Sequence, residues 1–131
     1  MNTAIAERIS GVFTASQQGD IHFGQVIASL SDAGVESYLV DYRAKQTTYH
    51  LTNDEHLTLS MSAPDVQIAQ HFDATVIKGA ILGAQQGQIL YPEFKQISMQ
   101  AGCIGYIVWI AGRHVCYFGR KGEQHIEHFP Q

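Results

Sequence analysis

Apolar residues recur along the first part of the chain with the period of a helix. The first apolar stripe is formed by Ile5, Ile9, Val12 and Phe13. The second stripe is formed by Phe23, Val26, Ile27 and Leu30. Spacings of three and four residues place each stripe on one helix face, so the pattern predicts two amphipathic helices. Gly19 and Ala33-Gly34 follow these stripes, as expected where a helix ends in a left-handed residue.

The period then changes to two, which is typical of a strand with one buried face. From Tyr38 to Tyr49, residues of one face alternate with residues of the other, and the alternation is interrupted at Arg43-Ala44. This pattern predicts a hairpin with its tip at Arg43-Ala44. In that register Tyr38 lies opposite Tyr49, a pairing that stabilises antiparallel strands. A third strand is predicted from His56 to Met61, after the turn residues that begin at Thr52.

The same design returns 68 residues later. Sliding the chain by that offset gives twelve identities between residues 9–59 and 77–127, and several of them are the glycines and tyrosines that set turns and strand pairs. They are Ile9/Ile77, Gly11/Gly79, Gln17/Gln85, Gln18/Gln86, Gly19/Gly87, Ile21/Ile89, Ala33/Ala101, Gly34/Gly102, Tyr38/Tyr106, Val40/Val108, Tyr49/Tyr117 and Glu55/Glu123. This self-similarity predicts a tandem duplication.

The second copy supplies its own signals for each element. Asp73 is a predicted N-cap for a helix from Ala74 to Gln86, and Pro92 suits the first turn of the next helix. A hairpin with its tip at Ala111-Gly112, where glycine tolerates positive φ, pairs Trp109 with His114 and Tyr106 with Tyr117. The third strand is predicted from Gln124 to Phe129. Ser62 to Asp65 links the copies, and a short helix is predicted from Val66 to His71.

These elements predict an α+β fold in a single domain, residues 1–131, built from two repeats at about 4–61 and 72–129. Each repeat is a helix–helix–three-stranded meander. We expect a pseudo-twofold to relate the repeats, with the antiparallel meanders joined edge to edge and the helices on one face of the sheet.

The two faces of each predicted hairpin differ in character. The face with Tyr38 and Tyr106 is apolar in both copies and should pack on the helices. The opposite face is polar in the first copy, whereas in the second copy it carries Ile107, Trp109, His114, Cys116 and Phe118. Such an apolar surface should meet a partner chain or a ligand, or else a further layer of the protein's own helices.

Composition narrows the classes of function. The 131 residues carry a formal charge of −4, which argues against a nucleic-acid binder that relies on phosphate neutralisation. The apolar run near Ile104 is too short to span a bilayer, and the N-terminal residues do not resemble a signal peptide. Together with two cysteines that we expect to remain thiols, these features predict a cytoplasmic protein without nucleic-acid or membrane partners.

Candidate chemistry is sparse. Asp41 and His50 fall on one face of adjacent predicted strands and are the best acid–base pair. Cys116 follows His114 at i+2 on the same face, so activation of its thiolate is an alternative to simple space filling. Within His125-Ile126-Glu127-His128, one imidazole and one carboxylate point the same way, too few ligands for zinc.

Other sites are weaker still. Arg43, Lys45 and Arg113 lie at the predicted hairpin tips and would hold an anion if the pseudo-twofold brought the tips together. The chain has no dinucleotide fingerprint, P-loop, nucleophile elbow or metalloprotease motif. We therefore predict neither a metal nor a cofactor.

Several of these pieces together resemble a known family. They are Gln85-Gln86-Gly87, Tyr91, Phe94, Ala101-Gly102, Tyr106-x-Val108, Cys116-Tyr117, Gly122, and Glu127 before Phe129-Pro130. They are similar to the YbcV-like domain of unknown function, found in small bacterial and prophage-encoded proteins often labelled "phage envelope protein". The resemblance implies a duplicated α+β fold and brings no catalytic residue or substrate with it.

The pattern as a whole favours a non-enzymatic binding or protein-interaction module that forms a homodimer through Ile107, Trp109, His114 and Phe118. The alternative is an enzyme or small-ligand-binding protein that uses the Asp41/His50 face or Cys116 with His114. A structural phage component that self-assembles beyond a dimer is a third hypothesis.

Overall fold

Four helices and six strands are present in residues 1–62 and 66–130, which are the residues described by the computed structural model. The helices are α1 (Thr3–Gln18), α2 (Phe23–Asp32), α3 (Ala74–Gln85) and α4 (Tyr91–Gln100). The strands are β1 (Val35–Asp41), β2 (Gln46–Leu51), β3 (His56–Ser60), β4 (Gly105–Trp109), β5 (His114–Phe118) and β6 (Gln124–His128). The prediction of an α+β fold is confirmed.

The ends of the helices follow from local chemistry. Asn2 caps α1 by accepting a hydrogen bond from the Ala4 N–H at 2.7 Å, and Asp73 caps α3 through the Val76 N–H at 3.2 Å, as predicted. Gly19 ends α1 in the left-handed region at φ 75°. Pro92 lies in the first turn of α4, where its missing N–H leaves no intrahelical bond unmade.

All six strands form one antiparallel sheet in the order β3-β2-β1-β4-β5-β6. The predicted hairpin registers are correct, since Tyr38 lies opposite Tyr49 and Tyr106 lies opposite Tyr117. The two meanders join through β1 and β4, with Leu39 opposite Ile107 at the centre. This long-range pairing makes one continuous sheet from two separate stretches of chain.

The hairpin tips differ in detail from the prediction. Left-handed backbone falls on Lys45 (φ 59°) and Arg113 (φ 60°), not on Gly112. The Arg113 N–H bonds back to the Ile110 carbonyl at 3.3 Å, so the loop holds four residues between Trp109 and His114. In longer hairpin loops of this kind the residue after a tight turn takes the left-handed conformation.

One face of the sheet supports the core. We call it the inner face, and its buried members are Tyr38, Val40, Thr47, Tyr49, Leu51, Tyr106, Val108, Val115 and Tyr117. Apolar residues of the helices, including Ile9, Leu30 and Ile77 at 0% exposure, belong to the same core cluster. The helices therefore cover the inner face, and alternation along the strands leaves the opposite, outer face for solvent.

The predicted helix from Val66 to His71 is wrong, while the predicted linker residues 63–65 lie outside the described part of the chain. The segment from residue 66 to 73 is irregular, with bends at Gln70 and His71, and its backbone groups form hydrogen bonds with other parts of the chain. Ala69 and Asp73 donate to carbonyls of Met99 and Ala101, at 3.0 and 2.7 Å. The Arg120 guanidinium donates to the carbonyls of Ile68 and Ala69 at 2.9 and 3.2 Å.

A matched pair of glycines tests how closely this segment approaches the end of α4. Gly102 and Gly34 both have positive φ, 87° and 90°. A Cβ added at Gly102 would lie 2.2 Å from the His71 carbonyl oxygen, whereas one at Gly34 would meet nothing within 4 Å. We expect Gly34→Ala to lower the free energy of unfolding by about 1–2 kcal/mol through left-handed strain alone. Gly102→Ala should cost roughly 1–3 kcal/mol more from the clash. Equal losses in urea unfolding would contradict the close approach.

Buried tyrosines give a second prediction, for alkaline stability. Burial raises the pKa of Tyr38, Tyr42 and Tyr106 well above 10, and raises the pKa of Tyr91 to about 12. Above pH 10 the unfolded chain therefore loses phenolic protons that the folded chain keeps, so stability falls as pH rises from about 10 to 12. One such tyrosine contributes up to about 1.4 kcal/mol per pH unit.

Urea unfolding between pH 9 and 11.5 measures this effect. The slope should exceed that of one tyrosine, because several titrate with the same sign. Burial lowers the pKa of Lys95, which acts in the opposite direction but for a single group. A free energy of unfolding that stays level up to pH 11.5 would mean that the phenols are not buried.

Candidate functional site

A cavity of about 70 Å³ lies between the inner face of the sheet and the helices, and it is partly open to solvent. One water needs roughly 10–15 Å³ on this measure, so there is room for several waters or a small organic molecule. All four helices contribute to the lining, together with strands of both halves. The lining residues are Val12, Phe13, Ser16, Gln17, Ile21, Phe23, Val26, Tyr38, Val40, Thr47, Tyr49, Ile81, Ala84, Gln85, Ile89, Leu90, Tyr91, Phe94, Tyr106, Val115, Tyr117, Glu127 and Phe129.

Two tyrosine pairs form the floor of the cavity. The rings of Tyr38 and Tyr49 are 5.3 Å apart between centroids, and those of Tyr106 and Tyr117 are also 5.3 Å apart. Strand alternation turns all four side chains inward, and the pairing of β1 with β4 sets the two pairs side by side. Phe94 packs edge-on against Tyr106 at 6.2 Å. The floor is therefore aromatic, with phenol groups at its surface.

The hydroxyl of Tyr91 is the one buried side-chain polar atom without a hydrogen-bond partner among the described residues. Tyr106, Tyr42 and Gln17 lie close enough to lower its pKa in part, but none meets this hydroxyl with hydrogen-bonding geometry. Burial outweighs them and raises the pKa to about 12. The phenol therefore stays protonated at neutral pH and presents an unused donor at the cavity wall.

Tyr42 shows how a buried tyrosine behaves when it has a partner. Ser98 Oγ donates to the Lys95 carbonyl at 3.1 Å, so the Tyr42 hydroxyl must be the donor in its 2.8 Å bond with Ser98 Oγ. Tyr42 is not part of the cavity lining. The contrast makes the lone hydroxyl of Tyr91 a property of the cavity rather than of buried tyrosines in general.

Lys95 lies beside the same hydroxyl and is unusual for a lysine. Its side chain is 6% exposed, and its ammonium donates to Gln17 Oε1 at 2.8 Å and to the Ser62 carbonyl at 2.9 Å. It also lies 5.4 Å from the centroid of the Tyr91 ring, within range of a cation–π interaction. No carboxylate among the described residues forms an ion pair with it.

A carboxylate lines another part of the wall. Glu127 of β6 contacts His125 through a 2.9 Å bond between Oε2 and Nε2, and it raises the pKa of Tyr117 further after burial has done so. His125 and Glu127 point to the same side, as predicted, while His128 lies on the outer face opposite His114. Across the described residues, no group of three or more His, Cys, Asp or Glu side chains could hold a metal ion.

The outer face carries the residues that the sequence marked as an interface. Trp109 is 40% exposed, and Leu39 and Ile126 beside it are 39% and 48% exposed. Ile107, His114, Cys116 and Phe118 lie on the same face and are half-buried. The alternative that the protein's own helices cover this face is wrong, because these side chains remain open to solvent.

Cross-strand register gathers histidines into one row of the outer face. The row runs across all six strands as His56, His50, Ser37, Trp109, His114 and His128. Ring centroids are 6.2 Å apart for His50 and His56, and 5.7 Å apart for His114 and His128. The polar rim of the outer face is thus rich in imidazole.

The structure separates the predicted acid–base pair. Asp41 lies opposite Gln46, and His50 lies opposite Ser37, four positions along the strands, which is about 13 Å. The Asp41 carboxylate instead accepts the N–H groups of Arg43 and Ala44, both at 3.0 Å, and closes the turn. This pair cannot exchange a proton directly, because its members are too far apart.

Cys116 and His114 do share the outer face, but each has other neighbours. Cys116 lies opposite Ile107 and Ile126, while His114 Nδ1–H donates to the Gly112 carbonyl at 3.1 Å. No hydrogen bond joins the thiol to the imidazole among the described residues. Cys116 is thus placed among apolar side chains, in line with the space-filling alternative.

The basic tips also lie apart. β1 and β4 are antiparallel, with Asp41 opposite Gly105 and Ser37 opposite Trp109. The tip with Arg43 and Lys45 is therefore at one end of the sheet and the tip with Arg113 at the other. Arg113 packs over the Phe129 ring at 5.5 Å. A single anion site built from both tips is ruled out.

Sequence reasoning missed the cavity and its polar group. In the sequence Tyr91 stands out only as part of the family resemblance, and Gln17 only as part of the repeat. A lysine at a buried helix position, Lys95, was the one available signal, since the apolar neighbours Phe94 and Ile97 flank it. Nothing local in the sequence shows that these three side chains meet.

Comparison with known proteins places the chain among relatives without an assigned activity. It is 28% identical over 108 residues to uncharacterized proteins of Mycobacterium tuberculosis (strain ATCC 25618 / H37Rv) and Mycobacterium bovis. The matched stretch covers 82% of this chain but 66% of each relative, so about a third of each relative has no counterpart here. Within the described residues, every helix is too short or too polar to cross a lipid bilayer.

The family match extends further along the chain. Residues 12–127 match the family described as "Protein of unknown function (DUF1398)", a range that includes β1 to β5, α2 to α4, all of β6 but His128, and the second part of α1. The chain therefore belongs to the DUF1398 family.

Proposed function

We propose that this protein binds a small, largely apolar molecule in the cavity between its helices and its sheet. The single observation that carries the proposal is the Tyr91 hydroxyl, buried at the cavity wall without a hydrogen-bond partner. Leaving a buried donor unsatisfied costs about 1–3 kcal/mol, so native proteins rarely retain one without a reason. A bound molecule that accepts from this hydroxyl supplies the reason.

The shape and chemistry of the cavity support binding more than catalysis. Its walls are aliphatic and aromatic with a few polar groups, which is the usual make-up of a small-molecule site. The phenols of Tyr38, Tyr106 and Tyr91 remain protonated because burial raises each pKa. They can donate hydrogen bonds, but they are poor proton acceptors or nucleophiles at neutral pH.

We also propose that the fold arose by duplication of a unit of half the present length. The two repeats span about 4–61 and 72–129 and form a single domain. Both halves have the element order helix, helix and three strands. Left-handed backbone also repeats at the offset of 68 residues. The pairs are Gly19/Gly87, Gly34/Gly102, Lys45/Arg113 and Asp54/Gly122. Matching turn conformations at non-glycine positions support a common ancestor for the halves.

Two further assignments remain proposals. We propose the YbcV-like, prophage-associated group as the nearest type of protein, on the turn and strand residues quoted above from Gln85 to Phe129. We also propose a cytoplasmic location, supported by Cys103 and Cys116, which are free thiols.

Filling the cavity tests the main proposal, with toluene as the probe. Ala84 lines the cavity on α3, and Ala28 is exposed on α2. We expect the wild-type protein to bind toluene with a submillimolar Kd and Ala84→Phe to weaken binding at least about tenfold, because the new ring takes the space. Ala28→Phe, the matched control, should change the Kd by less than about twofold. Ligand-observed NMR or calorimetry measures both.

The result that contradicts the proposal is equally direct. If toluene binds neither the wild-type protein nor Ala28→Phe at its solubility limit, the cavity is not a ligand site. Equal binding to Ala84→Phe and Ala28→Phe would place the probe elsewhere on the protein.

A second candidate function is self-association through the outer face into a homodimer, favoured by the exposure of Trp109, Leu39 and Ile126 together. The central pair Leu39/Ile107 lies where β1 meets β4, with Thr and His residues around it. A second copy related by a twofold axis through that pair would bring the apolar centres of the two outer faces into contact. The polar rims of the two faces would then also meet, as twofold interfaces require.

Sedimentation velocity tests the homodimer. Trp109→Ala should weaken dimerisation by about 30-fold, since a tryptophan buried in an interface often contributes about 2 kcal/mol or more. Thr48→Ala, on the polar half of the same face, serves as the control and should leave the association nearly unchanged. A wild-type protein that stays monomeric at several hundred micromolar would rule this candidate out.

A further inference from the structure

We infer that the cavity selects ligands that carry an oxygen acceptor, a carbonyl or a carboxylate, and that Tyr91 with Gln17 binds this oxygen. The inference rests on the proposed function and specifies the polar group that the ligand carries. It follows from the Tyr91 hydroxyl, which is buried without a hydrogen-bond partner, and from the hydrogen bond of Lys95 to Gln17, which leaves the Gln17 NH₂ group near the same hydroxyl.

The orientation of the Gln17 amide is determined by its partner. A lysine ammonium has donors only, so the atom it contacts at 2.8 Å must be the carbonyl oxygen Oε1. The NH₂ group of Gln17 is therefore directed away from Lys95, and it can donate toward the Tyr91 oxygen or toward a ligand. Gln17 lies near the Tyr91 hydroxyl and lines the cavity with it.

The Tyr91 hydroxyl is a donor for a similar reason. Its pKa of about 12 keeps the proton on the oxygen at neutral pH. The hydroxyls of Tyr106 and Tyr42 lie near it but do not form a hydrogen bond with it, so the donor needs another atom with lone pairs. An oxygen bound to carbon supplies these while its carbon skeleton contacts the aromatic floor. Water could satisfy the donors but would leave the apolar walls without contacts.

Charge near this corner favours the same class of ligand. The Lys95 ammonium, 6% exposed and without an ion-pair partner in the described residues, lies over the Tyr91 ring. Its positive potential strengthens binding of a partial or full negative charge on the ligand. The one carboxylate of the lining, Glu127, is engaged by His125 at 2.9 Å. Lys95 is thus a positioning residue, which orients Gln17 and polarises the site.

Three probes of one ring size separate the possibilities: toluene, benzaldehyde and benzoate. Benzaldehyde adds a neutral carbonyl to the ring, and benzoate adds a carboxylate. We expect at least one of the two oxygen-bearing probes to bind the wild-type protein about 3- to 10-fold more tightly than toluene, the gain typical of a hydrogen bond. If benzaldehyde has the lower Kd the site prefers a neutral carbonyl, and if benzoate has the lower Kd it prefers a carboxylate.

Two matched variants assign the effect. Tyr91→Phe removes the unsatisfied hydroxyl without changing the ring, so the ratio of the Kd for toluene to the Kd for the oxygen-bearing probe should fall to about one. Thr48→Val removes a hydroxyl that bonds to Thr58 on the outer face of the sheet, away from the cavity, so the preference should persist. A simple loss of structure would weaken all three probes together in either variant.

Each outcome decides one question. If toluene binds as tightly as both oxygen-bearing probes, or if the preference survives in Tyr91→Phe, the inference is overturned while the cavity remains a binding site. If toluene does not bind the wild-type protein, the proposed function falls, and if none of the three probes binds, the inference falls with it.

Discussion

The pairing of β1 with β4 is the contact on which the rest of the structure depends. Leu39 lies opposite Ile107 at its centre, and the strands on either side continue outward as two hairpin meanders. Without this pairing each half would be a separate unit of roughly 60 residues, a size at which a hydrophobic core is only marginally stable. Because the pairing is antiparallel, the two hairpin tips point to opposite ends of the sheet.

That geometry also makes the cavity. Each tyrosine pair belongs to one hairpin, but the two pairs become neighbours only across β1 and β4. The helices must cover a wide aromatic floor, and bulky rings such as Phe94 hold them away from the sheet. Space remains between the layers, and the hydroxyls that face it have few protein partners. The cavity thus arises from the same aromatic packing that stabilises the core.

The two faces of the sheet have separate roles in this interpretation. The inner face keeps the same aromatic pairs in both halves because each half must pack against its own helices. The outer face meets no helix, so its residues are free to differ, and the second half has gained Trp109, Ile107 and Phe118. Cross-strand register then aligns Trp109 with histidines from both halves. Ligand binding and self-association can therefore coexist on opposite sides of one sheet.

The sequence by itself determined the local structure. Period-two alternation and the Tyr38/Tyr49 and Tyr106/Tyr117 pairings gave the hairpin registers, and Asp73 and Pro92 marked helix starts, because these signals act between residues close in the chain. Only the tertiary structure decided that Lys95, Gln17 and Tyr91 would meet. Gln17 and Lys95 are separated by 78 residues, and α1 and α4 come together only when the whole core is formed. The distance between Asp41 and His50 follows from the hairpin register, so the sequence alone predicts it. The lack of a hydrogen-bond partner for the Tyr91 hydroxyl depends on the positions of all its neighbours in space, so only the tertiary structure determines it.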